Sequence, residues 1–170
     1  SYNKFKNFKP FAKIISNSKK AIKYINLNYC EISHAGSASF FNVLSSFQHV
    51  DKLRYLSIAK MSLSDDDSIT AFRNFLKVSN LSYIDISSME EEISAVLKVL
   101  TEEEQPKLRS LILNKLPLDD GAVFLINKII KNSNSLEEIS LSGSTITPDN
   151  LASIITTIND NKNIQSFSLN

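Results

Sequence analysis

The residues of this chain best able to do chemistry are two histidines, one cysteine and four short acidic runs: Asp65 to Asp67, Glu90 to Glu92, Glu102 to Glu104, and Asp119 with Asp120. A catalytic or metal site would need some of them at ligand or relay spacing. His34 and His49 lie fifteen residues apart, and neither a zinc set nor a histidine-based nucleophile can be assembled from them. They are expected as an exposed loop residue and a helix C-terminal residue. The single Cys30 cannot form an internal disulfide or a cysteine cage. The three glycines, at 36, 121 and 143, are scattered, and no glycine-rich run ends in Lys-Ser or Lys-Thr, so a phosphate loop is not expected. No catalytic residue, metal or other cofactor is expected.

The acidic runs have a simpler use. Three of them, at 65, 90 and 119, fall where helices are predicted to begin, and free N–H groups and the helix dipole there favour anions by about 0.3–1 kcal/mol each. "TPD" at 147 to 149 follows the same grammar, with Thr147 as cap and Pro148 in the first helical position. Glu102 to Glu104 follow a predicted helix, at the end where negative charge is unfavourable, and are expected in a solvated loop.

Composition narrows the class. With 170 residues and 42% hydrophobic content the chain can bury one real core. Net charge is +1, which gives no field for nucleic acid or an anionic membrane. Seven lysines and no acid stand between Ser1 and Cys30, a spacing read as the wet face of a helix. No apolar run reaches the roughly 18 residues of a membrane span, and the start lacks the apolar core of a secretory signal. A cytoplasmic location is the expectation. Asn80-Leu81-Ser82 is a glycosylation sequon in form, but Leu81 is expected in the core.

The elements that position these residues come from a repeat. "IKYINLNYCEI" begins at 22, "LRYLSIAKMSL" at 53, "LSYIDISSMEE" at 81, "LRSLILNKLPL" at 108, "LEEISLSGSTI" at 136 and "IQSFSLN" at 164. Between these segments lie helical sets such as Phe40, Phe41, Leu44 and Phe47; Ile93, Val96, Leu97 and Leu100; Ala122, Leu125, Ile126 and Ile129; and Leu151, Ile154, Ile155 and Ile158. Each unit is therefore a short strand, a turn and a helix. Segment positions 4 and 6 face inward by period two, and positions 1, 9 and 11 lie where the chain bends into and out of the strand, so all five side chains meet one core.

This pattern resembles the leucine-rich repeat family, and its length of about 28 residues resembles the ribonuclease-inhibitor-like branch. The resemblance implies an α/β solenoid or horseshoe of about six repeats, with a parallel inner sheet and outer helices, over a single domain at 1–170. One departure stands out: the family usually places Asn or Cys at position 9, and this chain has Cys30, Met61, Met89, Leu116 and Ser144 there. Irregular turn geometry is the consequence expected. Glu91 also stands at position 11, where an apolar residue belongs. A solenoid needs polar terminal caps, and neither end supplies an ordinary one, so the chain reads as a fragment of a longer array, the alternative being a cap built from Phe5, Phe8 and Phe11.

Positions 3, 5 and 7 must point away from the core in rows along the sheet. Position 3 gives Tyr24, Tyr55, Tyr83, Ser110, Glu138 and Ser166; position 5 includes Asn26, Asp85 and Ile112; position 2, on the rim, includes Lys23, Arg54 and Arg109. Tyrosine beside arginine is the composition of interface hot spots, although tyrosine is also a good strand former that packs along a ladder. Lys23, Tyr24, Asn26, Arg54, Tyr55, Tyr83, Asp85, Arg109, Ile112 and Glu138 are the candidate contacts for a protein partner on the concave face. "LPLDDGAVFLINKIIKNSNSLEEISLSGS" is similar to repeats of the large actin-regulatory scaffolds that link capping protein, the Arp2/3 complex and myosin-I, which implies a scaffolding role for regulators of actin assembly. It is also similar to repeats of Ran GTPase-activating proteins, which implies acceleration of GTP hydrolysis. Self-association through the concave face or the open ends is a third reading.

Overall fold

In the computed structural model of the chain, residues 9–30, 32–89, 93–103 and 105–170 are described. Strands and helices alternate: α1 (Lys9–Ser16), β1 (Tyr24–Asn26), α2 (His34–Ser45), β2 (Tyr55–Ser57), α3 (Asp66–Val78), β3 (Tyr83–Asp85), α4 (Ile93–Glu102), β4 (Ser110–Ile112), β5 (Pro117–Leu118), α5 (Asp120–Asn132), β6 (Glu138–Ser140), β7 (Thr145–Ile146), α6 (Pro148–Asp160) and β8 (Ser166–Ser168). Six strands form one parallel sheet in the order β1-β2-β3-β4-β6-β8. The sheet is not closed. β5 and β7 make a small parallel pair just past the main strands.

The register follows the repeat. Tyr24 faces Tyr55, Tyr55 faces Tyr83, Tyr83 faces Ser110, Ser110 faces Glu138 and Glu138 faces Ser166. Like positions of successive units thus stand side by side, and the core runs in rows. Position 1 buries Leu53, Leu81, Leu108 and Leu136; position 4 buries Leu56, Ile84, Leu111 and Ile139; position 6 buries Ile58, Ile86, Leu113 and Leu141. Met61, Met89 and Leu116 at position 9 and Ile32, Leu63 and Leu118 at position 11 are buried too. The mixed spacing of the leucines is that of a chain turning around one core.

The helices bury their apolar stripes in the same core. Phe41 of α2 meets Phe72 of α3 edge to face at 5.0 Å, a favoured aromatic geometry. Phe47 is buried but lies beyond the end of α2 at Ser45, and in α6 Ile155 points outward while Ile154 is buried. The capping grammar holds where it is described. Asp65 accepts from Ser68 N–H at 2.8 Å, Asp119 from Ala122 N–H at 2.8 Å, and Thr147 from Asn150 N–H at 3.3 Å with Pro148 next. Glu90 to Glu92, with the departure at Glu91, lie outside the described residues, as do Glu104, Phe5 and Phe8.

The turn after β1, β2, β3, β4 and β6 is regular, contrary to the irregularity expected from position 9. Position 8 is left-handed in five successive units: Tyr29, Lys60, Ser88, Lys115 and Gly143, with φ between 56° and 70°. Position 7 and its neighbours satisfy the backbone instead of position 9. Asn28 Oδ1 accepts from Ala59 N–H at 3.0 Å, Asn114 Oδ1 from Ser142 N–H at 2.8 Å, and Ser87 Oγ from Asn114 N–H at 3.0 Å. In the last of these turns Ser144 at position 9 takes the work itself, accepting from Leu116 N–H and donating to the Leu113 carbonyl. Position 9 is thereby free to be apolar in the other units.

Candidate protein-binding face

Row 3 of the sheet face opposite the core is a stack of rings. Parallel pairing puts like residues about 4.8 Å apart, which brings three tyrosines in succession within stacking reach of one another. Tyr24 and Tyr55 stack with centroids 3.9 Å and planes 11° apart, and Tyr55 and Tyr83 with centroids 4.0 Å and planes 10° apart. Tyr24, on the edge strand, is 58% exposed, whereas Tyr55 and Tyr83 are half-buried. The Tyr55 hydroxyl lies beside both neighbouring phenol oxygens, with one proton to share between them. That contact, with help from Asn26, holds the Tyr24 phenol below the ordinary tyrosine range. Burial, added to the neighbouring hydroxyls, pushes Tyr55 well above it. Burial also pushes Tyr83 up, and the carboxylates of Asp85 and Glu138 act in the same direction.

Row 5 differs from its expected exposure. Asn26 is exposed, but Asp85 and Ile112 are buried to 7% and 8% exposure, as are Ser57 and Ser140. The cause is lateral bonding between adjacent strands. The Ser57 hydroxyl lies against both Asn28 Oδ1 and Asp85 Oδ2, the latter at 2.7 Å, with one proton to give. Asn28 Nδ2 donates to Asp85 Oδ2 at 3.2 Å and Ser87 N–H to Asp85 Oδ1 at 3.0 Å. Three donors thus satisfy a carboxylate that has no cationic partner among the described residues. The same arrangement recurs where Ser140 Oγ donates to Asn114 Oδ1 at 2.7 Å. These residues are the frame of the face. Sequence alternation could place them on it but could not show that they bond sideways.

The rim residues divide likewise. Lys23 is exposed. Arg54 points its guanidinium at the carbonyls of Asp51, Leu53 and Asn80 at 2.7–3.1 Å and so ties two loops together. Arg109 pairs with Glu137 at 2.8 Å. Glu138, half-buried in row 3, carries no side-chain hydrogen bond or ion pair among the described residues. The face therefore presents a polar surface beside a block of rings, with Glu138 as a carboxylate that no cation meets among the described residues.

The histidines, the cysteine and the described acidic residues lie apart and make local contacts. His34 opens α2, half-buried, with its ring 2.9 Å from the Ser64 hydroxyl, rather than in an exposed loop. It borders a hollow of about 330 Å³ with Lys60, Ser62, Ser64 and Met89. His49 precedes a 3-10 turn at Val50–Lys52. Glu102 closes α4 and pairs with Arg73 of α3 at 2.6 Å, while Glu103 lies 3.4 Å from the same guanidinium. The neighbouring unit thus offsets an unfavourable position at a helix end. Burial raises the free thiol of Cys30 above its ordinary value. Among the described residues, no group of three or more His, Cys, Asp or Glu could hold a metal ion, and no helix is long and apolar enough to cross a membrane. No known family pattern matches the chain, and no curated protein does.

Proposed function

We propose that this chain is a leucine-rich repeat module whose sheet face, lying on the concave side of a solenoid, holds a protein partner. The observation that carries this reading is the tyrosine stack. Rings already ordered against one another lose little rotamer freedom on binding, and their hydroxyl edges and the exposed Tyr24 offer apolar area with polar handles. The repeat pattern, the parallel sheet in chain order and the left-handed turn recurring at position 8 support the family assignment. The likeness of the repeats to those of the actin-regulatory scaffolds makes regulators of actin assembly the partner class, and a cytoplasmic setting goes with it.

The test is a pull-down from cytosol with mass spectrometry. The native chain is compared with a Tyr24→Ala, Tyr55→Ala, Tyr83→Ala variant whose fold is first verified by circular dichroism. Actin-assembly proteins retained by the native chain alone are the expected result. Equal recovery by both baits would place the working surface off the tyrosine row.

A further inference from the structure

We infer that the sheet face carries a slot for a guanidinium group, presented by an arginine of the protein partner, between the ring of Tyr83 and the carboxylate of Glu138. This rests on the reading of the face as a protein-binding surface and names the chemistry that the surface selects.

The slot arises from where the stack stops. Tyr55 is covered by a ring on each side, but Tyr83 is covered only on the side of Tyr55. On its other side row 3 continues with Ser110, whose side chain is too short to reach the ring, and then with Glu138 on the next strand. Two strand spacings, about 9–10 Å, therefore separate the backbones that carry the ring and the carboxylate. A planar cation standing over Ser110 would lie within the roughly 6 Å at which a ring face attracts it, with a carboxylate on its opposite side. Half-buried Ser110 forms the floor, and buried Ile112 stands beside it two residues along the strand.

Charge selects the occupant. Glu138 makes no side-chain hydrogen bond or ion pair among the described residues. Asp85, 7% exposed and without a cation among the described residues, stands two residues along the same strand and adds a second negative charge on the Tyr83 side. The arginines nearest along the rim are committed, Arg109 to Glu137 and Arg54 to three backbone carbonyls. Between the two cationic side chains a partner could offer, arginine fits better. Its guanidinium is flat, stacks on aromatic faces, sheds water more readily than an ammonium and meets a carboxylate with two parallel N–H groups.

The test is selection of random displayed peptides on the native chain, followed by synthesis of the winners with arginine or with its neutral isostere citrulline. The slot predicts enriched peptides bearing arginine. Their affinity falls about tenfold or more on replacement by citrulline and equally on Glu138→Gln, the loss of one charge-assisted hydrogen bond. Ser110→Tyr, which fills the slot with a fourth ring, abolishes binding. Glu138→Gln is nearly isosteric, so the comparison stands even where Ser110→Tyr does not fold. Arginine peptides indifferent to both substitutions overturn the slot, as does the absence of any enrichment. Arginine-free peptides that depend on Tyr24 and Tyr55 overturn the slot but uphold the face. Peptides indifferent to every substitution on the face overturn both readings.

Discussion

Tyr55 and Tyr83 lie ring on ring, with centroids 4.0 Å and planes 10° apart. That separation is shorter than the spacing of about 4.8 Å between the strands that carry them, so the rings lean together and are not merely held in line by the backbone. Tyr55 makes the same contact with Tyr24 on its other side, at 3.9 Å. The middle ring is thus the keystone of the stack.

Replacing Tyr55 by alanine removes two ring contacts, each worth about 0.5–1.5 kcal/mol beyond area burial. A loss of about 1–3 kcal/mol in urea unfolding is expected, and Tyr55→Phe, which keeps the ring, stays within about 1 kcal/mol of the native chain. Tyr24→Ala, at the exposed end, costs less than Tyr55→Ala. Equal costs at the two positions would mean that the rings do not act as a stack.

The phenols also set a pH dependence. Burial lifts Tyr55 and Tyr83 above the ordinary value of 10.0, so the folded chain keeps protons that the unfolded chain has released. Their stabilisation is complete below pH 10 and is lost as pH rises from there towards the folded values. Tyr24, lowered by the Tyr55 hydroxyl and Asn26, has the opposite sign: its contribution is complete above 10.0 and is lost as pH falls towards its folded value. Ultraviolet titration should therefore show one early phenolate that Tyr24→Phe removes, and the fall in Tm above pH 10 should be blunted in Tyr55→Phe. Indistinguishable titration of all the tyrosines at the free value would contradict the hydroxyl contacts.

Asn114 closes a turn by accepting from Ser142 N–H and Ser140 Oγ. Asn114→Ala leaves both donors short of a partner, and a cost of about 1–3 kcal/mol is expected. Asn114→Asp keeps the acceptor oxygen and should recover most of it. Thermal unfolding of the two variants checks this, and an alanine variant as stable as the aspartate one would show that water replaces the side chain.

Most of the fold was legible because burial repeats: positions 1, 4, 6, 9 and 11 are apolar in every unit but for Ser144 and Glu91, and the caps at Asp65, Asp119 and Thr147 are local. The regular turns were not legible, because they depend on side chains reaching sideways to the next unit. Asn28 serves Ala59 and Asn114 serves Ser142, 31 and 28 residues away. The site divides along the same line. Alternation placed Tyr24, Tyr55, Tyr83, Asp85, Ile112 and Glu138 on one face, but whether each is exposed depends on its lateral neighbour. Tyr24 is open because it stands on an edge strand, and Asp85 is buried because Ser57, Asn28 and Ser87 bond to it. Similarly, the partner that makes Glu102 tolerable at a helix end is Arg73 of the preceding helix, 29 residues away in the chain.

The central claim is that the sheet face, and not the helices, holds the partner. Calorimetry with a partner recovered by the native chain tests it, comparing Tyr24→Ala with Phe124→Ala, since Phe124 on α5 is 67% exposed and lies outside the core stripe of its helix. A loss of affinity of about tenfold or more with Tyr24→Ala, and none with Phe124→Ala, is the predicted result. The reverse pattern would put the interface on the helices and contradict the account.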